Sequence, residues 1–138
     1  MAEELLRYEL VQRGRTDIHV VSAGTNTLVG LPPTPETIEV MKSKEIDVSR
    51  HLAQPLSEEL VHNADVVFCM ENHHREAVLE MAPDDQEKVH LLRSFHNEGV
   101  MGDPNIPDPI GRSSVVYELC MVSIQEGIDR ILKWIDGQ

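Results

Sequence analysis

Apolar residues along this chain keep two rhythms, one of three to four residues and one of short continuous runs. Leu5, Leu6, Leu10 and Val11 follow the first, which predicts a helix from Met1 to about Arg13, with Glu3 and Glu4 suiting its N-terminus and Gly14 as its stop. Ile18 to Ala23 follow the second: a short β-branched run closed by Gly24, read as a buried strand. After the loop Leu31-Pro32-Pro33, Thr34 has the chemistry of an N-cap and Pro35 that of a first helical residue, with Ile38, Met41 and Ile46 carrying a helix to about residue 45. Ser57 opens another short helix over Glu58, Glu59 and Leu60. Asp65 to Met70 read as a second strand, His73 to Met81 as a helix ended by Pro83, and Val89 to Leu92 as a weaker third strand. Tyr117, Cys120, Ile124, Ile128, Ile131 and Ile135 then step along one face of a long final helix capped by Ser113 or Ser114. Strands alternating with helices predict an α/β fold, three-layer α/β/α with a short parallel sheet. Ligands of such sheets bind beyond the C-terminal strand ends, which is where Ser22 to Thr25 and Asp108 would lie.

The length of 138 residues fits a single domain over 1–138. No apolar run approaches the roughly 20 residues of a membrane span. Asp and Glu total 24 against 12 Lys and Arg, a net charge of −12. That balance disfavours nucleic acid and anionic membrane as partners and requires any phosphate site to be locally positive. Cys69 and Cys120 are the only cysteines, and both lie in apolar segments. This usage predicts a reducing, cytoplasmic setting rather than a disulfide framework.

One loop stands out chemically. In Ile106-Pro107-Asp108-Pro109-Ile110-Gly111 two prolines fix φ and one glycine frees it. Asp108 is thus held between rigid neighbours. A general acid needs that positioning, since proton transfer works within about 3 Å, although a plain turn acceptor would use the same chemistry.

Taken in order, several segments resemble the low molecular weight protein tyrosine phosphatase family, bacterial type. They are Met1-Ala2-Glu3 with Leu5-Leu6, Ser22-Ala23-Gly24-Thr25, Ile46 to His51, Leu56 to Leu60, Ala64-Asp65, Met70-Glu71 and Asp108-Pro109. The resemblance implies hydrolysis of phosphomonoesters on a phosphoprotein substrate, on tyrosine or arginine, without cofactor or metal. It implies a cysteine thiolate in a C-x5-R phosphate loop, lowered in pKa by backbone N–H groups and a helix start. It makes Asp108 the general acid, with Ser22 and His51 as supporting residues. Ile110-Gly111 after the Asp-Pro pair, where tyrosine-specific members carry aromatics, resembles the branch that includes arginine phosphatases.

In the family, Met-Ala-Glu directly follows the phosphate loop, and here it opens the sequence. The resemblance therefore implies that the central first strand, the nucleophile and the arginine are missing, so the chain is expected to be a truncated and inactive member. With that strand missing, the strands at Ile18 and Asp65 are expected to slide together or to borrow pairing from a second copy in a homo-oligomer. Cys69 to Arg75 match C-x5-R by count, but the segment has no glycine and carries Glu71 inside the would-be cradle, so it is not read as a phosphate loop. His73, His74 and His51 are not read as metal ligands, because adjacent histidines at a helix start point apart and no four-ligand set closes. Two further functions stay open: a non-catalytic binding or oligomerising relative, and, more weakly, an arsenate reductase, which would need resolving cysteines.

Overall fold

A computed structural model of the chain describes residues 1–25, 29–98 and 102–138. Its first helix, α1 (Ala2–Gln12), starts at Met1 with no side-chain cap and ends before Gly14, whose φ of 70° suits glycine. In α2 (Pro35–Lys42) the Thr34 hydroxyl accepts the N–H of Thr37, and Pro35 occupies the first turn, where a missing N–H costs nothing. The helix stops at Lys42, about three residues short of the expected end. Glu45 takes a left-handed φ of 62°, and Ile46 N–H turns back onto the Met41 carbonyl at 3.0 Å. Apolar spacing carries through that turn because Ile46 is buried after the helix has ended.

Ser57 caps α3 (Glu58–Asn63) by accepting the Leu60 N–H. Strand β1 (Val67–Cys69) leads into α4 (Asn72–Met81), a 3₁₀ segment (Pro83–Lys88) and strand β2 (Val89–Leu91). The two strands pair in parallel, Val67 beside Val89 and Cys69 beside Leu91. The chain closes with α5 (Ser114–Asp136), whose 23 residues bury Tyr117, Met121, Ile124, Gly127, Ile128, Ile131 and Leu132.

The layers follow from burial. One cluster, with Val61, Cys69, Val78, Ala82 and Val89, fills the space between the sheet and the helices α3 and α4. The other joins α1, α2 and α5 through Leu5, Leu10, Met41, Tyr117, Ile128 and Leu132. The sheet thus lies between two helical layers, a three-layer α/β/α arrangement. Among the described residues no helix is long and apolar enough to cross a membrane.

The expected strand at Ile18 to Ala23 does not form. Ile18 and Val20 pack half-buried on the larger cluster, but among the described residues the segment has no ladder partner, and its neighbourhood holds only an isolated bridge from Gly24 to Pro55. Nor do the two expected strands slide together: among the described residues β1 pairs with β2 alone. β-Branched composition favours an extended backbone, but a strand also needs a neighbour to satisfy its N–H and C=O groups. Here polar side chains do part of that work. Arg7 Nη2 donates to the Val20 carbonyl at 2.6 Å, and Gln54 Nε2 donates to the Ser22 carbonyl at 2.9 Å.

Candidate active site

The first turn of α1, the Ser22 segment and the Asp108 loop meet at one end of the fold. Side chains hold the first two together. Glu3 is the hub: its carboxylate accepts from the Ser22 hydroxyl at 3.1 Å and faces His51 Nδ1 at 3.1 Å and Arg7 Nη2 at 3.3 Å. Glu4 doubles the arrangement, with Arg7 Nη1 at 2.6 Å and His51 Nδ1 at 3.4 Å. Burial pushes the Glu4 carboxyl upward, but hydrogen bonds from Arg7 and the Arg7 charge outweigh it and hold the pKa below the usual range. The structure therefore brings Ser22 and His51 together on Glu3. Sequence motifs do not mark Glu3, Glu4 and Arg7 as site residues, although their spacings of four and three residues on a helix signal a shared face. No side chain caps the start of α1, and Glu3 and Glu4 lie in its first turn, where a negative charge suits the helix N-terminus.

Asp108 sits on a loop fastened to the end of β1. Ile106, 3% exposed, donates its N–H to the Met70 carbonyl at 2.8 Å. Asn105 Oδ1 accepts the Asn72 N–H at the start of α4 at 2.6 Å. Asp108 itself is exposed, and its Oδ1 accepts the Ile110 N–H at 3.0 Å. It is thus a local turn acceptor, and among the described residues its Oδ2 has no protein partner. Cys120 links this loop to α1: its pKa is raised by burial, lowered by the amine of Met1 and raised by the Asp108 carboxylate. Those influences place Asp108 and the start of α1 on the same end of the molecule.

Neither thiol here is a ready nucleophile. Cys69 is 5% exposed at the end of β1, where burial pushes its pKa up to about 11. The Arg75 guanidinium opposes that shift but does not reverse it.

The histidine pair at the start of α4 differs from expectation. His73 and His74 do not point apart; their ring centroids lie 4.1 Å from one another. The cause is the cap. Glu71 takes the N-cap position, and His74 turns back so that its Nδ1 accepts the Glu71 N–H at 3.1 Å. Glu71 Oε2 then lies 2.9 Å from His73 Nε2 and 4.0 Å from His74 Nε2. Three ligand-type atoms converge here within 4.8 Å, as they do at Glu3, Glu4 and His51. At the first group, a neutral His74 with Nδ1 as acceptor carries its proton on Nε2, so metal ligation there would have to break the cap. At the second, Arg7 already occupies the carboxylates.

Comparison with known proteins bears on the family and the fold. The sequence model of the family Low molecular weight phosphotyrosine protein phosphatase matches residues 1–138. The low molecular weight protein-tyrosine-phosphatase Wzb of Escherichia coli is 36% identical over 108 residues, which are 78% of this chain and 70% of Wzb. The protein-arginine-phosphatase of Bacillus subtilis is 29% identical over 133 residues, 96% of this chain and 85% of that protein. Among solved structures, a Cys-to-Ser mutant of the YwlE arginine phosphatase with a phosphorylated active-site serine superposes with a TM-score of 0.86. It is 27% identical, and the match covers 98% of this chain and 86% of that one. With the family model matching residues 1–138 and the fold shared, this chain belongs to the low molecular weight phosphotyrosine protein phosphatase family.

Proposed function

We propose that this chain supplies the acid and supporting half of a centre that hydrolyses phosphorylated protein, with Asp108 as the acid and Ser22 and His51 bracing the start of α1. We further propose that residues 1–138 alone turn over no phosphomonoester. The observation that carries this is the state of the thiols: both Cys69 and Cys120 have raised pKa values, whereas a cysteine nucleophile needs a lowered one. The phosphorylated serine that stands for cysteine in the YwlE mutant supports a phosphocysteine route in the completed centre.

In that centre a thiolate delivered at the start of α1 attacks phosphorus, and Asp108 protonates the leaving oxygen or nitrogen as its bond to phosphorus breaks. Asp108 then takes a proton from water as the water displaces sulfur, releasing phosphate and restoring the thiolate. The free N–H groups of α1 favour the anion, which in a chain of −12 must be held by local charge. Ile110, 63% exposed beside the acid, offers an aliphatic rather than an aromatic wall, which favours phosphoarginine over phosphotyrosine. Two thiols without a disulfide suit a reducing, cytoplasmic compartment.

The test joins a strand ending in a C-x5-R loop to Met1. The expected result is turnover of para-nitrophenyl phosphate by the joined protein and none by residues 1–138. Asp108→Ala should then reduce the gained rate by about 10²–10⁴-fold, and phosphoarginine peptide should be preferred over phosphotyrosine peptide. Turnover by residues 1–138 themselves would overturn the proposal. A joined protein that folds but stays inactive would instead establish a non-catalytic relative.

A further inference from the structure

The second feature with chemistry lies on the far edge of the sheet, around β2. Several basic side chains of this acidic chain face carboxylates, among them Arg7, Arg13, Arg15 and Lys88. Arg75 on α4 does not: among the described residues no carboxylate oxygen lies within 4.0 Å of its guanidinium. It opens instead on a hollow of about 340 Å³. His90, His96 and Ser94, whose hydroxyl donates to the Leu91 carbonyl at 3.4 Å, are its other polar lining residues, and Leu91 and Phe95 are apolar ones. Among the described residues no Asp or Glu lines it, in a chain where acids outnumber basic residues two to one.

The hollow is held in shape by its surroundings. Arg130 on α5 donates to the carbonyls of Leu92, Arg93 and Phe95 at 2.9–3.1 Å, fixing the turn that carries Ser94 and His96. Phe95 stands edge-on to Trp134, with centroids 5.5 Å apart. His96 takes a left-handed φ of 49° and lies against Phe95 at 4.4 Å. Burial, and then the charges of Arg75 and His96, keep the His90 pKa below its ordinary value. An anion entering here would meet the Arg75 guanidinium with no competing carboxylate among the described residues. The volume is at the lower end for small-molecule sites, which run from about 300 to 1,000 Å³.

We propose that this hollow binds a small organic anion, a phosphate ester or carboxylate whose oxygens meet Arg75, His90 and Ser94 and whose carbon body lies on Leu91 and Phe95. Asp108, Ser22 and His51 do not line it, so the site stands independently of the phosphatase reading.

The test is a nuclear magnetic resonance titration of the 138-residue chain at pH 6 and constant ionic strength. Phenylphosphonate, which cannot be hydrolysed at its carbon–phosphorus bond, and benzoate are the probes, with chloride as control. The expected result is saturable shifts of the His90 and His96 ring signals, at least tenfold weaker binding in Arg75→Ala and in Ser94→Ala, and unchanged binding in Asp108→Ala. Tighter binding of phenylphosphonate assigns the site to phosphate esters, and tighter binding of benzoate assigns it to carboxylates. Shifts that do not saturate, that chloride reproduces, that survive both substitutions in folded protein, or that cluster at the start of α1 would overturn the proposal.

Discussion

Asp108 and Cys69 show how little a residue's type says about its state. Asp108 lies in a rigid loop, exposed, with one oxygen turned to the Ile110 N–H. Cys120 feels both its carboxylate and the Met1 amine, so it lies at the same end of the molecule as the start of α1, and only the fold supplies that place. Cys69 carries the right count to Arg75 for a phosphate loop, yet it sits on a strand with its thiol driven up to about 11. At pH 8 about 10⁻³ of such a thiol is ionised. Mass spectrometry after iodoacetamide treatment at pH 8 should therefore show Cys69 modified at least tenfold more slowly in the native chain than in urea. Equal rates would mean that the thiol is neither buried nor shifted. Ser22 and His51 were marked by resemblance alone; their convergence on Glu3 depends on 19- and 48-residue separations that local spacing does not encode.

At the scale of single elements the local rules hold well. Thr34 with Pro35, and Ser57 with its following acids, mark true helix starts, because capping depends on residues only two or three positions apart. The ends of elements were less legible. Glu45 in the left-handed region stops α2 while apolar spacing continues to Ile46. Gly127 in α5 is a further case. Local propensity favours alanine over glycine in a helix interior by about 1 kcal/mol. Here a methyl group at Gly127 would lie 2.5 Å from Leu92 Cγ, across the interface with the turn after β2. Gly127→Ala is therefore expected to destabilise the chain by about 1–3 kcal/mol, the usual cost of overpacking, as read by urea unfolding. A stabilised variant would show that Leu92 yields freely.

For the whole molecule, protonation gives a further prediction. Burial first, and then neighbouring positive charge, lowers the pKa values of His74 and His90 below 6.5. Above pH 6.5 both histidines are neutral in folded and unfolded chains alike, and stability is unaffected. Below it the unfolded chain binds protons that the folded chain refuses, so stability falls until the pH passes the folded values. The urea midpoint should drop between pH 7.5 and 5.5, and His90→Gln should lessen the drop; a flat profile would show that neither ring resists protonation. By itself the sequence determined the α/β class, the helix starts, the long apolar face of α5 and the family, because these rest on periodicity, capping and ordered local segments. Only the tertiary structure decided that, among the described residues, Ile18 to Ala23 find no strand partner and the hollow that Arg75 lines holds no acid, that Glu3 gathers Ser22 and His51, and that His73 and His74 close on one cap. Each of these is set by which distant segments become neighbours, and hydrogen bonding and charge act on neighbours in space.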